Sequence, residues 1–258
     1  YKTPDWMKNG IMYQIFPDRF FNGDTSNDYA QTIGRGTTKY TFPTDWYSMP
    51  DSPVVDKDTS DGEWSNDLFG GDLKGIEKKL DYLQSLGVSI VYINPINASI
   101  SNHRYDISDY EAVDAILGNL DDFTSLIKAA SKRDMKIILD GVFNHVSDDS
   151  VYFDRYGKYK EDGKPLGAYQ YWSRVYDIMN EKSISQEDAI KAAEAEFKAE
   201  GITDFTYSEW FKIYNEKAGD HYRYEGWNGF DSMPVIQALD GSELNVKSWA
   251  KDIISDKD

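Results

Sequence analysis

Cysteine is absent from the 258 residues, which removes disulfides, thiolate nucleophiles and thiolate metal sites without fixing the compartment. Histidine is scarce. His103, His145 and His221 stand far apart and no HExxH pair exists, so a zinc hydrolase has little support. No apolar run approaches the roughly 20 residues of a membrane span, and no signal peptide precedes YKTPDW. The chain reads as soluble, with any export signal upstream or removed. Basic residues are few, 28 against 45 acidic, and the formal charge of −17 repels phosphate backbones and anionic membrane surfaces. Nucleic acid is therefore argued against as a partner. A phosphate-binding loop fails too: Gly70 and Gly75 have its glycine spacing, but Ile76 and Glu77 stand where Lys and Ser or Thr are required. No GxSxG elbow is written.

What is present is a 40% hydrophobic content, enough for a sizeable buried core, and an aromatic surplus with 7 Trp and 19 Tyr. Flat rings with a polar handle pack against the apolar faces of sugars, and they also fill ordinary cores. Both readings of the surplus stand.

GIMYQIFPDRF opens with an apolar run, Ile11 to Phe16, stopped by Pro17, and reads as a buried strand. A polar loop follows over residues 21–69. Asp72 then stands as an N-cap, Leu73, Ile76, Leu80, Leu83 and Leu86 recur at helical spacing, and Gly87 sits where a C′ glycine belongs. VSIVYINPI reads as a second strand, NLDDFTSLIKAASKRD as a helix with Leu120, Phe123, Leu126, Ile127 and Ala130 on one face, and MKIILDGVFNH as a third strand. Alternating strands and helices with near-continuous apolar strands predict an α/β class with parallel pairing. Between His145 and about Pro234 some ninety residues break the alternation, too long for a plain connection, and predict a subdomain. Its expected helices carry capping boxes, Ser185 to Asp188 and Thr206 to Glu209. ELNVKSWAKDIISDKD then has the look of a third crossover helix.

In parallel α/β proteins function gathers at the carboxyl ends of strands, and PDRFFNGD, NPINASISNHRYD and DGVFNH mark three such ends. Each has a structural alternative. Asp18 and Arg19 suit a buried ion pair, Tyr105 suits core or ligand, and His145 suits a satisfied structural histidine. NGDTSND at residues 22–28 is equally two-sided: its oxygen-bearing side chains suit a turn, or a cage for a hard cation.

These segments carry a resemblance. GIMYQIFPDRFFNGDTSND, LFGGDLKGIEKKLDYLQSLGVSIVYINPI, NHRYDISDY, DGVFNH and GWNGFDSMP, in this order, are similar to the first half of the catalytic domain of the alpha-amylase family, within its neopullulanase, cyclomaltodextrinase and amylopullulanase group. Gly141 departs from the Val or Ala usual at its place. The resemblance implies the N-terminal half of a (β/α)8 TIM barrel, strands one to three. Residues 1–145 would be barrel, 146–235 an inserted B domain after strand three, and 236–258 a crossover helix returning to the barrel.

The resemblance also implies roles. Tyr105 would stack under the sugar on the non-reducing side of the cleaved bond, and His145 would hydrogen-bond its hydroxyls, the two facing one sugar site. His103 and Asp106 would line the same pocket. Asp140 would be a supporting aspartate and not the general base, and Asn144 a calcium ligand or loop stabiliser. Calcium would be held by Asn22, Asp24, Asn27, Asp28, the Gly70 carbonyl and Asp72; six oxygens suit that ion, and an EF-hand is excluded because position twelve is Ile33. The implied activity is retaining hydrolysis of α-1,4 or α-1,6 glucosidic bonds of starch or pullulan, by an aspartate nucleophile and a glutamate acid/base about 5–5.5 Å apart. Both would follow Asp258, so no catalytic residue is expected here, and the partners are an α-glucan and the remaining half of the barrel. Two alternatives are a non-catalytic sugar-binding module and an amylase-like interaction protein.

Overall fold

The computed structural model describes residues 2–237 except 56, 57, 59, 64 and 162. The chain divides into two compact units, Tyr1–Tyr105 with Tyr110–Gly141, and Asp106–Asp109 with the chain from Val142. A short helix α1 (Asp5–Lys8) precedes strand β1 (Ile11–Ile15); beyond the polar loop come helices α2 (Leu73–Lys78) and α3 (Leu80–Ser85), then β2 (Val88–Ile93). Strands β3 (Asn97–Ser99) and β4 (Ile107–Val113), helix α4 (Leu120–Ser131) and β5 (Lys136–Leu139) follow.

The sheet of the first unit has the order β1-β2-β5, all parallel, with Ile15 beside Ile93 and Ile93 beside Leu139. Sequence neighbours are spatial neighbours, as when each helix carries the chain back for the next strand. The core lies between this sheet and its helices: Ile15, Val91 and Ile93 meet Leu73, Ile76, Leu80, Leu83, Leu126 and Ala130. Central β2 buries Val88, Ile90, Val91 and Ile93, whereas β1 buries only Ile15 and leaves Ile11, Met12 and Tyr13 exposed at 56%, 45% and 38%. The expectation of a buried first strand is corrected there. Among the described residues, β1 is a sheet edge without the side-chain layer that covers β2.

The first helix begins as the sequence implies, with the Asp72 carboxylate accepting Gly75 N–H at 2.6 Å. It breaks at Lys79, whose ψ of 4° ends the α-helical ladder for one residue. Leu86, expected on the apolar face, is exposed, while Gly87 takes the positive φ of 80° that a C′ residue needs. In α4 the Asn119 side chain accepts Asp121 and Asp122 N–H, and Asp122 returns a bond to Asn119 N–H, a full capping box. Leu126 and Ala130 are buried and Phe123 packs against the core, but Leu120 and Ile127 are exposed. Asn119→Ala is expected to lower stability by about 1 kcal/mol, read by chemical denaturation. The stretch after β2 contains the β3 and β4 pair.

The second unit contains helices α5 (Ala168–Lys182) and α6 (Gln186–Ala199) and an antiparallel hairpin of β6 (Ile213–Ala218) and β7 (His221–Tyr224). Ser185 caps α6 as expected, accepting Asp188 N–H at 3.1 Å. The second expected helix is corrected: Thr206–Glu209 makes one 3-10 turn, and the chain then enters the hairpin, turning at Gly219 with φ 68°. Helix α5 has no counterpart among the expected elements. The aromatic surplus goes largely into this core, where Phe153 packs on Tyr169, Phe211 and Tyr224 at centroid distances of 5.6, 5.1 and 4.6 Å. The crossover helix expected over residues 243–258 lies outside the described residues.

Candidate functional site

Strand ends of the first unit carry the polar groups. After β1, the buried Asp18 pairs with Arg19 and accepts Phe69 and Gly70 N–H at 2.9 and 3.1 Å. This is the structural ion pair among the sequence alternatives. After β2, Asn94 accepts Gln14 Nε2 at 2.8 Å. After β5, Asp140 N–H donates to Ile93 O at 3.1 Å, and its carboxylate accepts Tyr105 OH at 2.8 Å. Burial, reinforced by this bond, pushes the Tyr105 hydroxyl well above the usual tyrosine pKa. The Asp140 carboxylate, together with burial, also raises the Tyr92 hydroxyl.

Tyr105 is presented by a bend at Arg104, a non-glycine residue with φ of 63°. The Arg104 side chain runs inward, 2% exposed, and pairs with Asp114, whose carboxylate also accepts Ser99 and Ile116 N–H at 3.0 Å each. That anchor leaves His103 and Tyr105 on its two flanks, half-buried, with rings 6.0 Å apart and Tyr105 N–H donating to His103 Nδ1 at 3.1 Å.

The 22–28 loop closes on the start of α2 through Asp72. Its carboxylate accepts N–H from Gly23 at 3.0 Å, Asp24 at 2.8 Å and Gly75, and Asn27 Nδ2 at 3.3 Å. Asn22 Nδ2 donates to Asp28 Oδ1 at 2.7 Å. Asp24 accepts Lys74 Nζ at 2.5 Å and Ser26 at its other oxygen, and the Lys74 bond above all draws its pKa far below the usual range. Asp28 is raised, first by burial and then by the charges of Asp72 and Asp24. The amide oxygens of Asn22 and Asn27 are buried without a hydrogen-bond partner. Gly70 has φ of 82°, and a Cβ there would lie 2.8 Å from Asp28 Oδ1, so the approach requires glycine. Among the described residues no three His, Asp or Glu groups converge as a metal site. The oxygen donors gathered here are mixed, amide and carboxylate.

In the second unit His145 is 3% exposed and forms a bridge with Val235. Its Nδ1 lies 2.7 Å from Asn144 Nδ2, and its ring stacks on Trp227 at 5.3 Å and 27°. Asp106 is buried beside Ile107, whose carbonyl accepts Ser147 N–H at 2.8 Å. His221 is held between Asp220 at 2.9 Å and Asp231 at 3.3 Å, with Arg155 Nη2 3.0 Å from Nδ1. It belongs to an ion network within the unit. The structure thus gathers Tyr105, His103 and Asp140 in one unit and His145, Asn144 and Asp106 in the other. Tyr92, Arg104, Asp114 and Trp227 escaped sequence reasoning; Trp227 stood inside GWNGFDSMP with no spacing to single it out.

Residues 14–232 match the description "Alpha amylase, catalytic domain". The chain belongs to the alpha-amylase catalytic-domain family. Over 257 residues, 98% of its length, this family member is 51% identical to an amylopullulanase of Thermoanaerobacter thermohydrosulfuricus, of which it spans 15%. The type III pullulan hydrolase from Thermococcus kodakarensis superposes with a TM-score of 0.63 at 30% identity, covering 96% of this chain and 35% of that one. The cyclic α-maltosyl-(1→6)-maltose hydrolase from Arthrobacter globiformis, solved with that sugar, gives 0.63 at 26% identity, covering 98% and 42%. The chain therefore spans less than half the length of each of these relatives. Membership sets its parallel sheet within a TIM-barrel family.

Proposed function

We propose that this chain is the first stretch of the catalytic barrel of an α-glucan hydrolase of amylopullulanase type. In this reading β1, β2 and β5 are the first three of eight barrel strands, and residues 146–235 are a B domain inserted after the third. The observation that carries it is the 51% identity to an amylopullulanase over 98% of the chain. The reaction would retain the anomeric configuration, using a carboxylate nucleophile and a carboxylic acid/base on residues other than those described. Asp140 would be a supporting aspartate and not that base, its carboxylate accepting the Tyr105 hydroxyl.

The ring of Tyr105 would supply a flat face for a glucose unit, held edge-on by its bond to Asp140 and flanked by His103. His145 would donate to sugar hydroxyls, with Asn144 fixing its far nitrogen and Asp106 lining the site. The intact enzyme, incubated with pullulan and with soluble starch, is expected to release reducing sugar whose first-formed anomer is α. Release from neither substrate overturns the reading.

The loop after β1 is proposed to hold calcium through Asn22, Asp24, Asn27, Asp28, the Gly70 carbonyl and Asp72. Supporting this, two buried amide oxygens have no other partner, and Asp28 is raised first by burial and then by the charges of Asp72 and Asp24, which a cation would offset. Asp24 would exchange its Lys74 contact for the ion. The ion's contribution is structural charge neutralisation, tying the loop to the start of α2. A ligand bound only by the folded state stabilises by about 2.7 kcal/mol at a hundredfold excess over Kd. EDTA is therefore expected to lower the melting temperature of the intact enzyme, and Asp24→Ala to remove most of that sensitivity. A melting temperature indifferent to EDTA excludes the ion.

A further inference from the structure

Trp227 has no part in the proposed sugar contacts, yet its indole lies against the histidine on which they depend. The two rings stack with centroids 5.3 Å apart and planes 27° apart. The histidine is 3% exposed and the tryptophan 41%, so burying the indole is not what puts it there. On its edge, His145 faces Asn144 Nδ2 at 2.7 Å from Nδ1. An amide nitrogen donates only, so with the amide in this orientation Nδ1 accepts and the proton of the neutral imidazole sits on Nε2. A hydrogen bond at Nδ1 fixes one edge of the ring. A flat face against the ring fixes its plane.

The backbone is built to hold that face in place. Trp227 N–H donates to Met233 O at 2.8 Å, Phe230 N–H to Trp227 O at 3.0 Å, and Met233 N–H to Phe230 O at 3.1 Å, closing the segment on itself. Its closure needs positive φ at Asn228, 50°, and Gly229, 80°. The closed loop is fastened to the segment that carries the histidine, because Val146 N–H donates to Pro234 O at 3.1 Å and Ile236 N–H to Asn144 O at 3.0 Å. The two rings therefore belong to one hydrogen-bonded piece of the second unit.

We propose that Trp227 is a positioning residue, which holds the His145 imidazole in one plane so that its Nε2–H is directed at a sugar hydroxyl. The inference rests on the sugar-contact reading of His145. Orientation of this kind acts on turnover more than on binding, because a contact that tightens in the transition state suffers most when its geometry loosens.

The test uses the intact enzyme with W227F, W227A, H145A and the W227A/H145A double variant, assayed on pullulan and soluble starch. W227F keeps a flat face and is expected to stay within about threefold of the parent; W227A is expected to lose about tenfold in kcat with a smaller change in KM. The double variant should be no slower than H145A, since removing the histidine removes what the tryptophan positions. A crystal structure of intact W227A should show the imidazole turned away from Asn144. An imidazole unmoved in that structure, or losses that multiply in the double variant, overturns the positioning role alone. Normal kinetics in H145A overturns the sugar-contact reading and this inference with it.

Discussion

Residues 1–258 expressed alone are expected to aggregate and to release no reducing sugar from pullulan or soluble starch, while the intact enzyme releases it from both. The chemical reason is that retaining hydrolysis needs a nucleophile and an acid/base across the glycosidic bond, and the proposed function puts both on residues other than those described. The physical reason is the sheet. A barrel protects strand edges by closing on itself, whereas among the described residues the order β1-β2-β5 leaves β1 and β5 each with one neighbour. Ile11 and Met12 on β1 and Leu139 on β5 are exposed at 56%, 45% and 43%, an apolar layer that further strands would cover. Size-exclusion chromatography and a reducing-sugar assay, run beside the intact enzyme, check both parts. A monomeric, cooperatively melting and active product would sink the proposal.

His145→Ala in the intact enzyme is expected to lower kcat and kcat/KM on pullulan by about 30-fold, equivalent to about 2 kcal/mol of transition-state stabilisation. Such a magnitude suits one hydrogen bond to a sugar hydroxyl that strengthens as the ring flattens toward an oxocarbenium ion. The competing outcome is a structural histidine. His145 is buried and bridged to Val235, so a purely structural side chain would give an early-melting variant whose remaining folded fraction turns over normally. Steady-state kinetics well below the melting temperature separates the two.

The three parallel strands were legible because their apolar runs are short, β-branched and bounded by turn residues, and Asp72 was legible because a cap is a local signal. The break at Lys79 was not, since Leu73, Ile76, Leu80 and Leu83 keep helical spacing straight through it. Thr206 to Glu209 misled for the opposite reason: a capping box secures one turn, and the chain beyond that turn is shaped by pairing of Ile213–Ala218 with His221–Tyr224. Helix α5 hid its core face in aromatics, Tyr169, Tyr171 and Tyr176, which composition alone leaves between core and sugar platform. Tyr105, His103 and Asp140 stand in motifs legible as strand ends, and their roles rest on the resemblance. Arg104 and Asp114, ten residues apart, were not legible, because a buried ion pair that anchors a loop leaves no periodic trace.

For the proposed hydrolase, the setting of Tyr105 and Tyr92 beside Asp140 bears on how its rate would vary with alkalinity. A hydroxyl whose pKa is raised keeps its proton to higher pH, so Tyr105 and Tyr92 remain donors where an ordinary tyrosine has begun to ionise. Neither phenol then introduces a second negative charge beside the carboxylate as the medium is made basic. The alkaline limb of a pH–rate profile therefore reports the titration of some other acid, and replacing Tyr105 by Phe should change the height of the profile while leaving that limb where it was.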